Sequence, residues 1–470
     1  MRSRILPLVL LTAASLVLGD ALLLGDTSST SADGVTGAAP AGPPTPPMGW
    51  NSWNSGVPLT ERNVHAVIDA MSASGMVAAG YRYVNLDAGW AAPDRDAEGN
   101  LRADPQWFPH GIAALADYAH SHGMLLGLYS SPFNQICGQA RTNASFGHET
   151  ADARTFAAWG VDFLKYDWCR ADADLTEQVR VFSTMRDALR ASGRRIVYSI
   201  NPNSSENLHA AADYDWSRVA DMTRNTGDLI PLWHNGSPTG QLETTSNRGL
   251  IGVTDELGAA EPLAARSRPG YWNDPDMLVV GVQLAHFIAT HVDGYPEAVV
   301  QGPLTTTQTL ELEASFELPS AVVGRLRDPD FSLNPDEQRS HFTLWSMLAA
   351  PLIAGNDVRT MTETTRAILT NPDVVAIDQD PTGTQAAPLP ADRRILTKRL
   401  ADGSLAVAIF NPAESATTIE TTTAALGLPT ATTYTVKDLW THTTAETTGV
   451  LTATGIPAHG VTMLKLTVAH

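Results

Sequence analysis

The 470-residue chain has only two cysteines, which excludes a disulfide scaffold and a cysteine-rich zinc module. One disulfide or two free thiols remain open. Positive charge is scarce. Against 50 Asp and Glu stand 31 Lys and Arg, for a formal net charge of −19. Nucleic acids and anionic membranes require basic surface, so neither is an expected partner. After the N-terminus no apolar run approaches the ~20 residues needed to span a bilayer. Gly-rich phosphate loops, HExxH, EF-hand loops and a G-x-S-x-G elbow are all missing. The 13 histidines are scattered and form no ligand pattern, so no metal site is expected. What is present is an apolar share of 43%, enough for a large core. The length suits one large domain plus a smaller one.

Residues 1–19 read MRSRILPLVLLTAASLVLG. Two arginines followed by an apolar stretch have the layout of an export signal, assigned here to residues 1–33 without a defined cleavage point. A retained N-terminal anchor is the rival, but Asp20 interrupts the run early. The expected location is therefore extracellular, with no membrane contact after signal removal. Export also permits a disulfide between Cys137 and Cys169. Residues 34–47 are rich in Pro, Ser, Thr, Ala and Gly and end in PPTPP, a stiff linker.

From 48 to 385, short apolar runs alternate with helical patterns. Strands are predicted at Tyr83–Asp87, Leu125–Ser130, Phe163–Asp167, Ile196–Asn201, Asp221–Asp228, Tyr271–Asp276, Pro351–Asn356 and Val374–Asp378. Helices are predicted at Glu61–Ser74, Ile112–His122, Glu149–Trp159 and Thr176–Ala191. The alternation implies a parallel sheet, and eight strands over this length imply a (β/α)8 barrel. Residues 283–333 break the rhythm and read as an insertion. From 386 to 470, alternating runs separated by Thr- and Gly-rich turns indicate an antiparallel β-sandwich.

Carboxylates are the main chemical resource. Asp167 ends an apolar strand, LKYD, two residues after Lys165, so both side chains leave the same face. The pair reads equally as a buried ion pair or as a nucleophile with its cation. Asp228 follows Arg224 in TRNTGD; taken alone, it reads first as a cap of the following segment. Two strand-end acids in one barrel suit a glycosidase, which needs two carboxylates flanking the anomeric carbon. Trp50, Trp53, Trp90, Tyr129, Trp168 and Trp272 cluster near the same face, where rings stack on sugars; about half should be plain core.

These pieces, taken in order, resemble glycoside hydrolase family 27, the melibiases: MGWNSWN (48–54), LDAGW (86–90), the run 95–130, TFAAWGVDFLKYDWC (155–169), TRNTGD (223–228), WNDPDMLVVG (272–281), HFTLWSMLAAPLIAGNDVRTM (341–361) and AIDQDP (376–381). The resemblance implies a barrel followed by a β-domain and a retaining, exo-acting α-galactosidase without a cofactor. It implies Asp167 as nucleophile, Asp228 as acid/base, and Trp53, Asp87, Tyr129, Lys165, Arg224, Asp276 and Met277 as carbohydrate-binding residues. It also implies a Cys137–Cys169 bridge at the pocket wall. The chain departs from the family pattern at Ala88, where a second aspartate is usual, at the PNSSEN loop (202–207), and in the length of 283–333. Loss of one sugar-reading carboxylate removes charged hydrogen bonds of about 1.5–3 kcal/mol. A pocket of that kind also fits an isomaltodextranase or a β-L-arabinopyranosidase, both known in the family. A non-catalytic carbohydrate-binding protein is a third reading.

Overall fold

The computed structural model describes residues 42–137, 143–170, 174–205, 207–233, 250–283, 332–430 and 432–469. Eight parallel strands form one sheet: β1 Met48–Asn51, β2 Tyr83–Leu86, β3 Leu125–Ser130, β4 Phe163–Asp167, β5 Val197–Asn201, β6 Met222–Arg224, β7 Trp272–Asp274 and β8 Leu352–Ala354. Their order is β8-β1-β2-β3-β4-β5-β6-β7. The two ends of the series meet through Leu278, just past β7. Its amide donates to the Ile353 carbonyl at 2.7 Å and its carbonyl accepts from Gly355 at 3.0 Å. The sheet is thus a closed (β/α)8 barrel.

Strand parity sets what faces inward. At the bottom, Tyr83, Phe163, Val197, Met222 and Trp272 pack with Ala349. Two residues further along their strands, Asn85, Lys165, Ser199 and Arg224 make the inward positions polar; in register, Asn85 lies beside Gly127, and Lys165 beside Tyr129 and Ser199. A Cβ on Gly127 would sit 2.0 Å from Asn85 Oδ1, so only glycine fits there. Helices Glu61–Ala73, Gly111–Ser121, Glu149–Ala158 and Leu175–Ala191 surround the strands within a residue or two of expectation. Thr60 and Asp174 accept hydrogen bonds from Asn63 N and Glu177 N, the caps that start two of these helices.

Two of the strand expectations fail. Val374–Asp378 lies in the helix Pro372–Asp378, because Asn371 Oδ1 accepts from Asp373 N and Val374 N while Pro372 opens the first turn. The eighth strand is instead Met48–Asn51, at the start of the barrel and paired on both sides. The run 221–228 also divides: β6 ends at Arg224, and Asp228–Leu229 pairs in parallel with Leu250–Ile251 outside the barrel sheet. The Pro-rich stretch lies on the barrel. Pro43 O accepts from Gly270 N and from Trp272 Nε1, and Pro47 O accepts from Leu352 N. Residues 1–41, with the expected signal, and 284–331, most of the expected insertion, lie outside the described residues.

The C-terminal part is antiparallel. Strands β9 Ala387–Leu389, β10 Asp392–Arg399, β11 Leu405–Phe410, β12 Thr417–Thr422, β13 Tyr434–Asp438, β14 Thr444–Thr447, β15 Val450–Ile456 and β16 Val461–Val468 form a six-stranded sheet, β9-β10-β11-β16-β13-β14, and a pair, β12-β15. Ile395, Val407, Ile419 and Leu451 meet in the core between them.

Candidate active site

At the carboxyl end of β4, Phe163, Lys165 and Asp167 share the inner face in ascending order. Lys165 Nζ lies 3.6 Å from Asp167 Oδ2 and donates to Asp87 Oδ2 at 2.8 Å. Asp87 follows directly on β2. Asn51 at the end of β1 donates a further bond to the same oxygen at 3.0 Å, and the Asp87 amide donates to Ser52 Oγ. Three strands of the barrel, β1, β2 and β4, therefore fix one cation between two carboxylates. The Lys165 ammonium sits 5.2 Å from the centre of the Tyr129 ring, and the Tyr129 hydroxyl lies 3.6 Å from Cys169 Sγ. Cys169 is bonded to Cys137, which ties the loop after β3 to the end of β4.

A second cluster forms at the ends of β6 and β7. Arg224 Nη2 lies 3.2 Å from Asp228 Oδ1 and 3.0 Å from Asp276 Oδ2, and also donates to the Gly227 carbonyl. Asp276 Oδ2 accepts from Leu229 N at 2.9 Å, so Asp276 braces the segment that carries Asp228. Asp276 itself has a backbone φ of 81°, in the left-handed region that non-glycine residues seldom adopt. Trp345 holds it there by donating to the Asp276 carbonyl at 2.9 Å. His341 stacks edge-on against Trp345 and accepts from Val279 N at 3.0 Å. Met277, between them, is buried in the wall.

The electrostatics separate the two acids. Burial pushes Asp167 up to about 6; Lys165 and Arg224 oppose this, while Asp87 and Asp228 add to it. Arg224 and Asp228 both enter that balance, so the charges of the second cluster act on Asp167. Burial pulls Lys165 down, yet the Asp167 and Asp87 carboxylates outweigh it and keep the ammonium charged. The Asp167 carboxylate is 10% exposed and that of Asp228 is 44%. One acid is deep and the other open.

The aromatic expectations divide unevenly. Trp50, Trp90, Trp168 and Trp272 are core. Trp53 stays partly open and packs on Ala88, Tyr129, Ile136 and Ala144, an apolar wall beside Asp87. Ala88 is buried in that wall, and its amide donates to Asp87 Oδ1 at 2.9 Å. Sequence reading missed Asn51, Asp274, His341 and Trp345. Asp274 ends β7, is pushed up to about 6 by burial against the pull of Arg224, and caps the Asp276 amide. Its place in WNDPD, two residues before an expected site acid, was the available signal.

The family profile described as "Alpha galactosidase A" matches residues 45–286 and 314–380. The chain belongs to glycoside hydrolase family 27. A second profile, an α-galactosidase C-terminal β-sandwich domain, matches residues 391–466 and covers the antiparallel part of this family 27 member. Among its relatives, "Alpha-galactosidase A" of Cellvibrio japonicus is 35% identical over 77% of this chain and 74% of its own. The "Alpha-galactosidase" of Cyamopsis tetragonoloba is 34% identical over 88% and 83%. The crystal structure of α-galactosidase I from Mortierella vinacea superposes with a TM-score of 0.72 at 28% identity, covering 91% of this chain and 98% of that one.

Proposed function

We propose that this glycoside hydrolase removes terminal α-galactosyl residues by a retaining double displacement, with Asp167 as nucleophile and Asp228 as acid/base. One observation carries the reading: a deep carboxylate at the end of β4, paired with Lys165, and an open carboxylate just past β6, held by Arg224, both stand at the carboxyl end of the barrel strands. An Asp167 oxygen attacks the anomeric carbon as the bond to the leaving oxygen breaks, and Asp228 gives that oxygen its proton. Asp228 then takes a proton from water, the water oxygen bonds to the anomeric carbon, and the ester to Asp167 breaks. Asp87 and Lys165 bind sugar hydroxyls, Arg224, Asp276, Met277 and Tyr129 line the same pocket, and Trp53 stacks on the ring. Released sugar followed by NMR should first appear as the α-anomer; net inversion overturns the scheme. Asp167→Asn should lose turnover on an aryl α-galactoside by about 10⁴-fold or more.

Ala88 favours one alternative within the same mechanism. A pocket wall with an apolar residue beside Asp87 also suits a sugar without the hydroxymethyl group, such as β-L-arabinopyranose. A panel of aryl α-galactoside, aryl β-L-arabinopyranoside and dextran separates the substrates. Ala88→Asp should raise the galactoside-to-arabinopyranoside ratio of kcat/KM by about tenfold or more. Sugar binding without turnover on any of the three would instead mark a binding protein. Export is proposed for residues 1–33, supported by the Cys137–Cys169 bridge, since such bonds persist in oxidising compartments. Recovery of processed chain from the culture medium tests it.

A further inference from the structure

Asp228 sits on a segment gripped along its length. Asn225 N donates to Asp274 O at 2.8 Å, and Asn203 Nδ2 donates to the carbonyls of Arg224 at 2.7 Å and Thr226 at 3.4 Å. These contacts hold the backbone on the barrel side. A further contact comes from Glu256. The Thr226 hydroxyl donates to Glu256 Oε1 at 2.7 Å and lies 3.2 Å from the Gly227 carbonyl, the oxygen that Arg224 also contacts.

Glu256 comes from the helix Asp255–Ala260, which leads off the strand Leu250–Ile251. That strand pairs with Asp228–Leu229, Leu250 opposite Asp228 itself. Glu256 is fully buried, and its second oxygen has no hydrogen-bond partner among the described residues. An ionised carboxylate in that position would be costly without a partner. Burial pushes the acid well above its ordinary range, against the Thr226 hydrogen bond and the Arg224 charge. Its contact with the Thr226 hydroxyl makes it a hydrogen-bonding strut.

We propose that Glu256, acting through Thr226, is a positioning residue that aims Asp228 at the leaving-group oxygen. Glu256 touches no substrate. It fixes the turn Thr226–Gly227–Asp228, so its removal lets the acid/base drift while the nucleophile cluster around Lys165 stays in place. Drift of about 1 Å is enough to cost roughly 10²-fold in a positioned step. The proposal rests on Asp228 being the acid/base.

The test uses aryl glycosides with leaving groups of different pKa. Poor leaving groups need proton donation and activated ones do not. Glu256→Ala and Thr226→Val should lose about 10- to 100-fold in kcat/KM on the poor leaving group and less than about threefold on the activated one. Glu256→Gln, which keeps a strut to the Thr226 hydroxyl, should restore the wild-type pattern. Thr226→Val preserves side-chain volume and keeps the proposal testable if Glu256→Ala does not fold. Equal losses on both substrates, or no loss, overturn the proposal. Asp228→Ala is the control. If that variant lacks the leaving-group dependence, the acid/base assignment fails; if it shows the dependence and the Thr226 and Glu256 variants do not, only the positioning role fails.

Discussion

Lys165, half-buried, and Lys398, fully buried, are both lysines beside aspartates, one in the barrel mouth and one where the barrel meets the β-domain. Lys165 Nζ is 2.8 Å from Asp87 and 3.6 Å from Asp167, and its charge is held on. Lys398, on β10, donates instead to the carbonyls of Ile377 at 2.8 Å and Ser346 at 3.5 Å. Burial pulls Lys398 down despite the nearby Asp378 and Asp380, and pushes Asp378 up. Asp378 Oδ1 has no hydrogen-bond partner among the described residues. The same residue types thus serve two ends. Around Lys165, close carboxylates keep the ammonium charged; at the junction, backbone carbonyls turn a lysine into a polar plug between two barrel helices and the β-domain.

Breaking each pair should separate these roles. Lys165→Met removes two charge-assisted contacts, and kcat/KM should fall by about 10²–10³-fold, with thermal stability as a secondary readout. Lys398→Met should leave turnover per folded molecule within about twofold while costing about 3 kcal/mol in denaturant unfolding, because Asp378 stays buried alone. Adding Asp378→Asn should recover most of that loss. No second change of this kind should rescue Lys165→Met.

The pocket acid gives a smaller effect of opposite sign. Asp167 is raised from 3.8 to about 6, so between those values the folded chain holds a proton that the unfolded chain has released. Its contribution to stability is full below about pH 4 and is lost as pH rises through about 6. Asp167→Asn should therefore be more stable than wild type by about 2–3 kcal/mol near pH 8, with the gain gone below pH 4. Equal gains at both pH values would mean that the buried charge is not the cause. The same group should set the acidic limb of the kcat/KM profile near pH 6, and Lys165→Met should move that limb upward.

Much of this arrangement was legible along the chain. That Lys165 and Asp167 share a face follows from strand parity, since residues two apart on a strand point the same way. Asp87 and Asp276 stand at the ends of apolar runs, where barrel strands deliver side chains to one face. Val374–Asp378 misled because Val, Ile and Ala suit either element; the Asn371 cap and Pro372 decided for a helix. Met48–Asn51 was missed because a four-residue strand holding Gly49 and Asn51 carries no periodic signal.

The sequence by itself determined the barrel and β-domain plan, the shared face of Lys165 and Asp167, and the cysteines that could join. Those depend on local pattern, on which face a strand residue takes, and on residue chemistry. The tertiary structure decided which acid is deep and which is open, and that Trp345, His341 and Glu256 support the walls. Burial and electrostatic balance are sums over groups far apart in the chain: Trp345 reaches Asp276 across 69 positions and Glu256 reaches Thr226 across 30. No local pattern encodes such distances, so the roles of those residues emerge only when the barrel closes.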